Sequence, residues 1–162
     1  MSIAHPDDLL WQAYCDALRL MVNARMALVA RAHDLSAVIA IGLAAPAGRA
    51  CALQLLLALP AETSRPHIAR LVELATFSQA DIAFARQIIH RLHDADAMME
   101  VERAAETHLA TGGEWEYRRI AELYDGLDHG RLLAHLARCA SHGDEAIREI
   151  ARDFRSEIGP TG

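Results

Sequence analysis

The chain of 162 residues contains no lysine: all 16 of its basic residues are arginine. Arginine is not demanded by chemistry at every one of those positions, so this reads as a coding bias. Aromatic residues are scarce at 5%, and valine occurs only five times. Strands favour β-branched and aromatic types, so a sheet-based fold is excluded on composition. Cysteine is present only at positions 15, 51 and 139, with no CxxC pair. A secreted disulfide scaffold would be denser in cysteine and usually even in number. Reduced, buried thiols are expected instead. No uncharged run reaches the length of about 20 residues needed to span a bilayer. The longest apolar stretch, from Leu35 to Leu59, is interrupted by Pro46 and Arg49. Its pieces read as buried core helices rather than a membrane hairpin. The opening residues MSIAHPDDLLW carry acids where a signal peptide needs bases, so a cytoplasmic location is expected.

What is abundant is alanine (32) and leucine (21). Both are strong helix formers. The hydrophobic fraction of 52% excludes a disordered tail. A chain of this length suits a single domain, 1–162, able to bury a core without staples. The net charge of −6 is unevenly placed. Residues 1–61 balance four acids against four arginines, whereas residues 62–162 carry 18 acids and 12 arginines. That sign disfavours a duplex-binding surface and suits a basic protein partner.

Start and stop signals recur at short intervals. Pro6 with Asp7 and Asp8 opens a helix predicted over 6–33. Within it Leu10, Ala13, Ala17, Met21, Ala24 and Leu28 make an apolar stripe, and Asp8, Gln12, Asp16, Arg19 and Asn23 a polar one. Trp11 and Tyr14 flank the apolar stripe and are expected in the core. Ser36 is expected to cap a second helix ending before Pro46, and a third spans about 48–59. The apolar N-terminal helices of 1–60 are followed by a loop, 60–66, and then by shorter helices over 66–158. These are predicted at 66–76, 79–92 (a capping-box-like start from Ser78 and Asp81), 95–110 capped by Asp94, 114–125, 129–141 capped by Asp128, and 144–158. The expected fold is all-α, with about nine short antiparallel helices in a solenoid-like or irregular bundle.

Aligning residues 71–92 on 120–141 superposes Glu73 on Glu122 and Leu74 on Leu123, an offset of 49 residues or three short helices. With LARCASHGDEAIREIARDF, this pattern over about 66–157 resembles HEAT and armadillo repeats. The resemblance implies a scaffold that binds partners along a helical face.

Catalytic motifs are absent: there is no GxSxG, GxxxxGK[ST], GxGxxG or HExxH. The six serines sit mostly where helix caps belong. No residue is defensible as catalytic, and no cofactor is implied. His135, Cys139 and His142 share a helix face at i, i+4 and i+7 and are the first metal candidates, zinc accepting those atom types. The simpler reading puts Cys139 on the buried side and His135 at the border with solvent. His90 and His93 form a second pair, read as a solvated face. The most informative segment is EWEYRRIAELYDGL, 114–127. On a helix it places Tyr117, Ile120, Ala121, Leu123, Tyr124 and Leu127 on one side and Trp115 on the other, beside Arg118, Arg119 and Glu122. Trp, Tyr and Arg are enriched at interface hot spots, so Trp115, Arg118, Arg119 and Glu122 are the candidate partner surface. A second candidate is Met21, Met26, Leu28, Val29 and the run 35–45, an association patch if exposed and ordinary core if buried, the latter being expected.

The function expected is therefore non-enzymatic: a protein-interaction module or adaptor, of which an inhibitor or immunity-type protein would be one instance. A homo-oligomer is compatible with it. The alternatives are a helical domain binding or converting a small molecule in an inter-helix His/Arg pocket, and a nucleic-acid-binding helical repeat.

Overall fold

The structure, a computed structural model, describes residues 6–77 and 80–158. Among them it is all-α, with nine α-helices and no strand. The first three are α1 (Pro6–Arg31), α2 (Leu35–Ala44) and α3 (Pro46–Ala58). A 3₁₀ segment, Ala61–His67, occupies what the sequence suggested was a loop. The rest are α4 (Ile68–Phe77), α5 (Ile82–His90), α6 (Ala95–Leu109), α7 (Glu114–Asp125), α8 (His129–Ala140) and α9 (Glu145–Ile158).

Local chemistry explains most of the boundaries. The carboxylates of Asp94 and Asp128 accept the N–H groups of Ala97 and Arg131 at 2.9 and 3.0 Å. Each satisfies one of the orphan donors of a first helical turn. At α2 the cap is Asp34, not Ser36: its side chain accepts from the Ala37 N–H. Pro46 does not merely stop α2 but occupies the first turn of α3, where its missing N–H costs nothing. The Ser78 capping box lies outside the described residues.

The core runs continuously from Ile39 and Leu43 in α2 to Phe154 in α9. Helix α4 is its centre, packing against α5, α6 and α7. The α2–α3 hairpin closes through small residues. A Cβ on Gly42 would stand 2.9 Å from the Ala52 Cβ, and one on Gly48 would meet the Gly42 carbonyl oxygen at 3.3 Å. Only glycine allows that approach.

The order of elements recurs. Displacing α4, α5 and α6 by 49 residues lays them on α7, α8 and α9, with each boundary within three residues. Buried positions follow: Leu71 and Leu74 of α4 correspond to Ile120 and Leu123 of α7. The six helices thus form two like triplets packed against each other, compatible with a helical repeat.

Helix α1 departs from expectation. Trp11 is 66% exposed and Tyr14 is also exposed, so neither is core. Met21, Met26 and Val29 are exposed as well, and only Cys15, Val22, Arg25 and Leu28 of the helix are half-covered. The reason is length. A helix of 26 residues extends roughly 39 Å at 1.5 Å per residue, far beyond the 10 and 13 residues of α2 and α3. Among the described residues its N-terminal half is left exposed almost throughout. The run 35–45 is split: Ile39 and Leu43 are buried, whereas Val38 and Ile41 are exposed. None of the described helices is long and apolar enough to cross a membrane.

Candidate partner-binding surface

Helix α7 starts at a glycine pair for a steric reason. A Cβ on Gly112 would lie 2.7 Å from both the Glu116 Cβ and the His108 carbonyl oxygen. The following Gly113 N–H donates to the Glu116 carboxylate at 2.7 Å, which fixes the first turn. From there the helix period sends Tyr117, Ile120, Ala121, Leu123 and Tyr124 into the core. Trp115 is left on the outer side, 46% exposed.

The indole is not loose. The Arg119 guanidinium lies over its ring, 4.2 Å from the centroid, a cation–π stack. Arg119 Nη1 donates to Glu122 Oε2 at 2.8 Å, and Arg86 Nη2, from α5, donates to the same oxygen at 2.9 Å. Burial acts to raise the Glu122 pKa, but the two guanidinium groups outweigh it and hold the carboxylate below its usual range. Arg118 points the other way round the helix, donating to Asp153 of α9 at 2.9 Å, with Glu114 at 3.7 Å. Its bond to Asp153 raises its pKa further, so its charge is permanent. Between these pairs lies a cleft of about 320 Å³ lined by Arg86, Arg118, Glu122, Asp125, Asp153 and Phe154.

Trp115, Arg119 and Glu122 therefore form one connected group, and Arg118 stands across the cleft from them. Sequence reading of α7 alone missed Arg86, Asp153 and Phe154. They come from α5 and α9, and no spacing rule within one helix reports on a neighbour 35 residues away.

The metal candidates are placed differently from expectation. His135 does not border solvent: it is 5% exposed. Its Nε2–H donates to the Tyr117 carbonyl oxygen at 2.9 Å, and its ring packs on those of Tyr117 and Tyr124. Burial lowers its pKa, against the Tyr117 bond, which favours the charged ring. Burial pushes the Cys139 thiol up to about 11. His142 instead accepts the Asp144 N–H on its Nδ1 at 3.1 Å. His90 and His93 are exposed, with ring centroids 6.2 Å apart. Among the described residues no three or more His, Cys, Asp or Glu side chains are grouped so as to hold a metal ion.

A second, apolar groove of about 520 Å³ runs between the C-terminal half of α1 and the α2–α3 hairpin, with Met21, Leu28, Val38, Cys51 and Leu55 in its walls. Comparison with protein-family models, curated proteins and solved structures finds no match to this chain.

Proposed function

We propose that the chain is a non-enzymatic protein-interaction module that binds a basic protein partner across α7. The observation that carries this reading is the half-exposed Trp115 held beneath Arg119, which Glu122 links to the Arg86–Arg118–Glu122–Asp153 cleft. An aromatic side chain already locked by its neighbours loses little entropy on binding, and Trp and Arg dominate interface energetics. The surplus of acids over arginines in residues 62–162 gives a field that attracts basic proteins. The recurrence of α4–α6 in α7–α9 supports an armadillo-like repeat with three helices per unit, similar to scaffolds that bind along a helical face. Cys15, Cys51 and Cys139 stand as free thiols, which suits the cytoplasm.

The test compares the tagged full chain with its Trp115→Ala and Arg119→Ala variants in capture from native cells. Leu133→Ala, an exposed apolar position on α8, serves as control. A partner of basic isoelectric point retained by wild type and control, and lost by both α7 variants at unchanged melting temperature, supports the reading. Equal retention by all four proteins overturns it.

A further inference from the structure

We infer that α1 is the dimerisation element of this protein: two copies pair their α1 helices antiparallel, each seating its N-terminal half in the other's α1/α2–α3 groove. Of the fifteen large hydrophobic side chains exposed among the described residues, nine are on α1: Leu9, Leu10, Trp11, Tyr14, Leu18, Leu20, Met21, Met26 and Val29. Leu10 and Leu20 are each 70% exposed. Six of these, Leu10, Trp11, Tyr14, Leu18, Met21 and Val29, share one side of the helix and present on the order of 600–700 Å² of apolar surface, close to the roughly 800 Å² that a standard interface buries on each partner. A monomer rarely leaves so large a contiguous patch in water.

The pattern along α1 fits a second α1. Leu10, Ala17 and Ala24 recur at seven residues, and so do Tyr14, Met21 and Leu28 beside them. A seven-residue repeat keeps one seam facing a partner helix along its whole length. The alanines at the centre of the seam let the two backbones come close, and the larger side chains flank them.

Charge sets the direction. Asp7 and Asp8 are in the first turn of α1, Asp16 is paired with Arg19 on the polar stripe, and Arg25 and Arg31 are in the second half. A two-fold interface must be self-complementary, since the same patch meets itself. Antiparallel pairing brings the acidic end of each helix to the basic end of the other, and opposes the helix dipoles favourably. Parallel pairing sets like charges side by side. The same alignment carries Leu10, Trp11 and Tyr14 to the region of Met21 and Leu28, where the groove of about 520 Å³ between α1, Val38, Cys51 and Leu55 receives them.

A lipid surface is the weaker occupant. Interfacial helices that bind membranes are rich in Lys and Arg on the polar face. The polar stripe of α1 is Asp8, Gln12, Asp16, Arg19 and Asn23, and the helix as a whole balances three Asp against three Arg.

The experiment is the solution mass of the full chain by light scattering and sedimentation velocity at micromolar concentrations. A particle of twice 17.8 kDa is expected. Leu10→Glu with Met21→Glu should yield a monomer whose helical circular dichroism is unchanged, because both side chains are exposed within one copy. Arg31→Glu should weaken the dimer by about two- to fivefold, the effect of a rim charge, and Asp7→Arg with Asp8→Arg in the same chain should restore it. Trp115→Ala should leave the mass unchanged. A monomeric wild type at every attainable concentration overturns the inference. So does a dimer that survives Leu10→Glu with Met21→Glu, and so does a monomer that sediments with neutral or anionic phospholipid vesicles.

Discussion

The guanidinium of Arg91, just past the end of α5, closes the C-terminus of α3: its Nη1 donates to the carbonyl oxygens of Leu56 and Leu57 at 3.0 and 2.9 Å, and its Nη2 to that of Leu59 at 2.6 Å. The last carbonyls of a helix have no partners within it, and a cation placed there also meets the negative end of the dipole. α2 ends in the same way. Arg49 and Arg70, from α3 and α4, both donate to the Leu43 carbonyl oxygen, at 3.2 Å from Arg49 Nε and from Arg70 Nη2. The N-terminal helices are thus tied to the rest of the molecule by arginines on their open ends.

Replacing Arg91 tests this. Arg91→Ala removes the charged donor from three carbonyls, of which that of Leu56 keeps the Leu59 N–H at 3.2 Å, and a hydrogen bond to a charged group contributes about 1.5–3 kcal/mol. A loss of about 2–4 kcal/mol is expected after allowance for water reaching the exposed carbonyls. It would be read from urea unfolding followed by circular dichroism. Arg91→Lys should recover only part of the loss, because an ammonium cannot span all three acceptors at once.

The glycine contact of the hairpin gives a second prediction. Gly42→Ala brings a methyl group to 2.9 Å from the Ala52 Cβ, so α2 and α3 must separate. Overpacking of this kind costs about 1–3 kcal/mol. Each kcal/mol lowers the melting temperature of a chain this size by roughly 2–4 °C. Adding Ala52→Gly should return a measurable share of the stability, whereas Ala58→Gly, at an exposed position near the end of α3, should return none.

Acid should weaken the fold through two histidines. His135 and His67 are both buried and have lowered pKa values, in each case chiefly from burial. The unfolded chain then binds protons at pH values where the folded chain does not. Stability from these sites is complete above the unfolded value of 6.5 and declines as pH falls toward the lowered folded values. Unfolding free energy measured from pH 7.5 down to about 5 should fall. His135→Gln, which retains an N–H donor for the Tyr117 carbonyl, should reduce that slope. An unchanged slope would remove His135 from the account.

The thiols should separate by reactivity. Burial was expected for all three, but Cys51 is exposed, because it lines the open groove beside α1, and Cys15 is half-covered; Cys139 is fully buried with its thiol pKa pushed up to about 11. A thiolate is the reacting species, so Cys139 should resist an aromatic disulfide reagent at mildly alkaline pH. It should be titrated only when denaturant is added, with the rate of unfolding.

Much of the helical outline was legible in the sequence. The caps Asp94 and Asp128 and the span of α7 were read directly, because capping and the 3.6-residue period depend on residues three or four apart. The same locality explains the misses. Ser36 and Asp34 both offer a capping oxygen, and only the backbone geometry before α2 chose between them. His135 was expected near solvent on the pattern of α8 alone. It is buried because Tyr117 and Tyr124 of α7 close over it.

The candidate surface divides along the same line. That Trp115 faces away from the apolar side of α7 followed from its position in the helix. So did the reach of Arg119, four residues on in the same helix, to its ring; that Arg86 and Asp153 complete the cleft required helices distant in sequence to be brought together.

The sequence by itself determined an all-helical chain, its punctuation and the apolar stripes of each helix, since all three are written in near-neighbour residue order. Which stripes are covered was decided only by the tertiary structure. Packing is a relation between helices of particular lengths at particular angles, and the 26 residues of α1 outrun the short hairpin beside them. Their aromatic and aliphatic side chains, core-like in pattern, are therefore left uncovered within one copy of the chain.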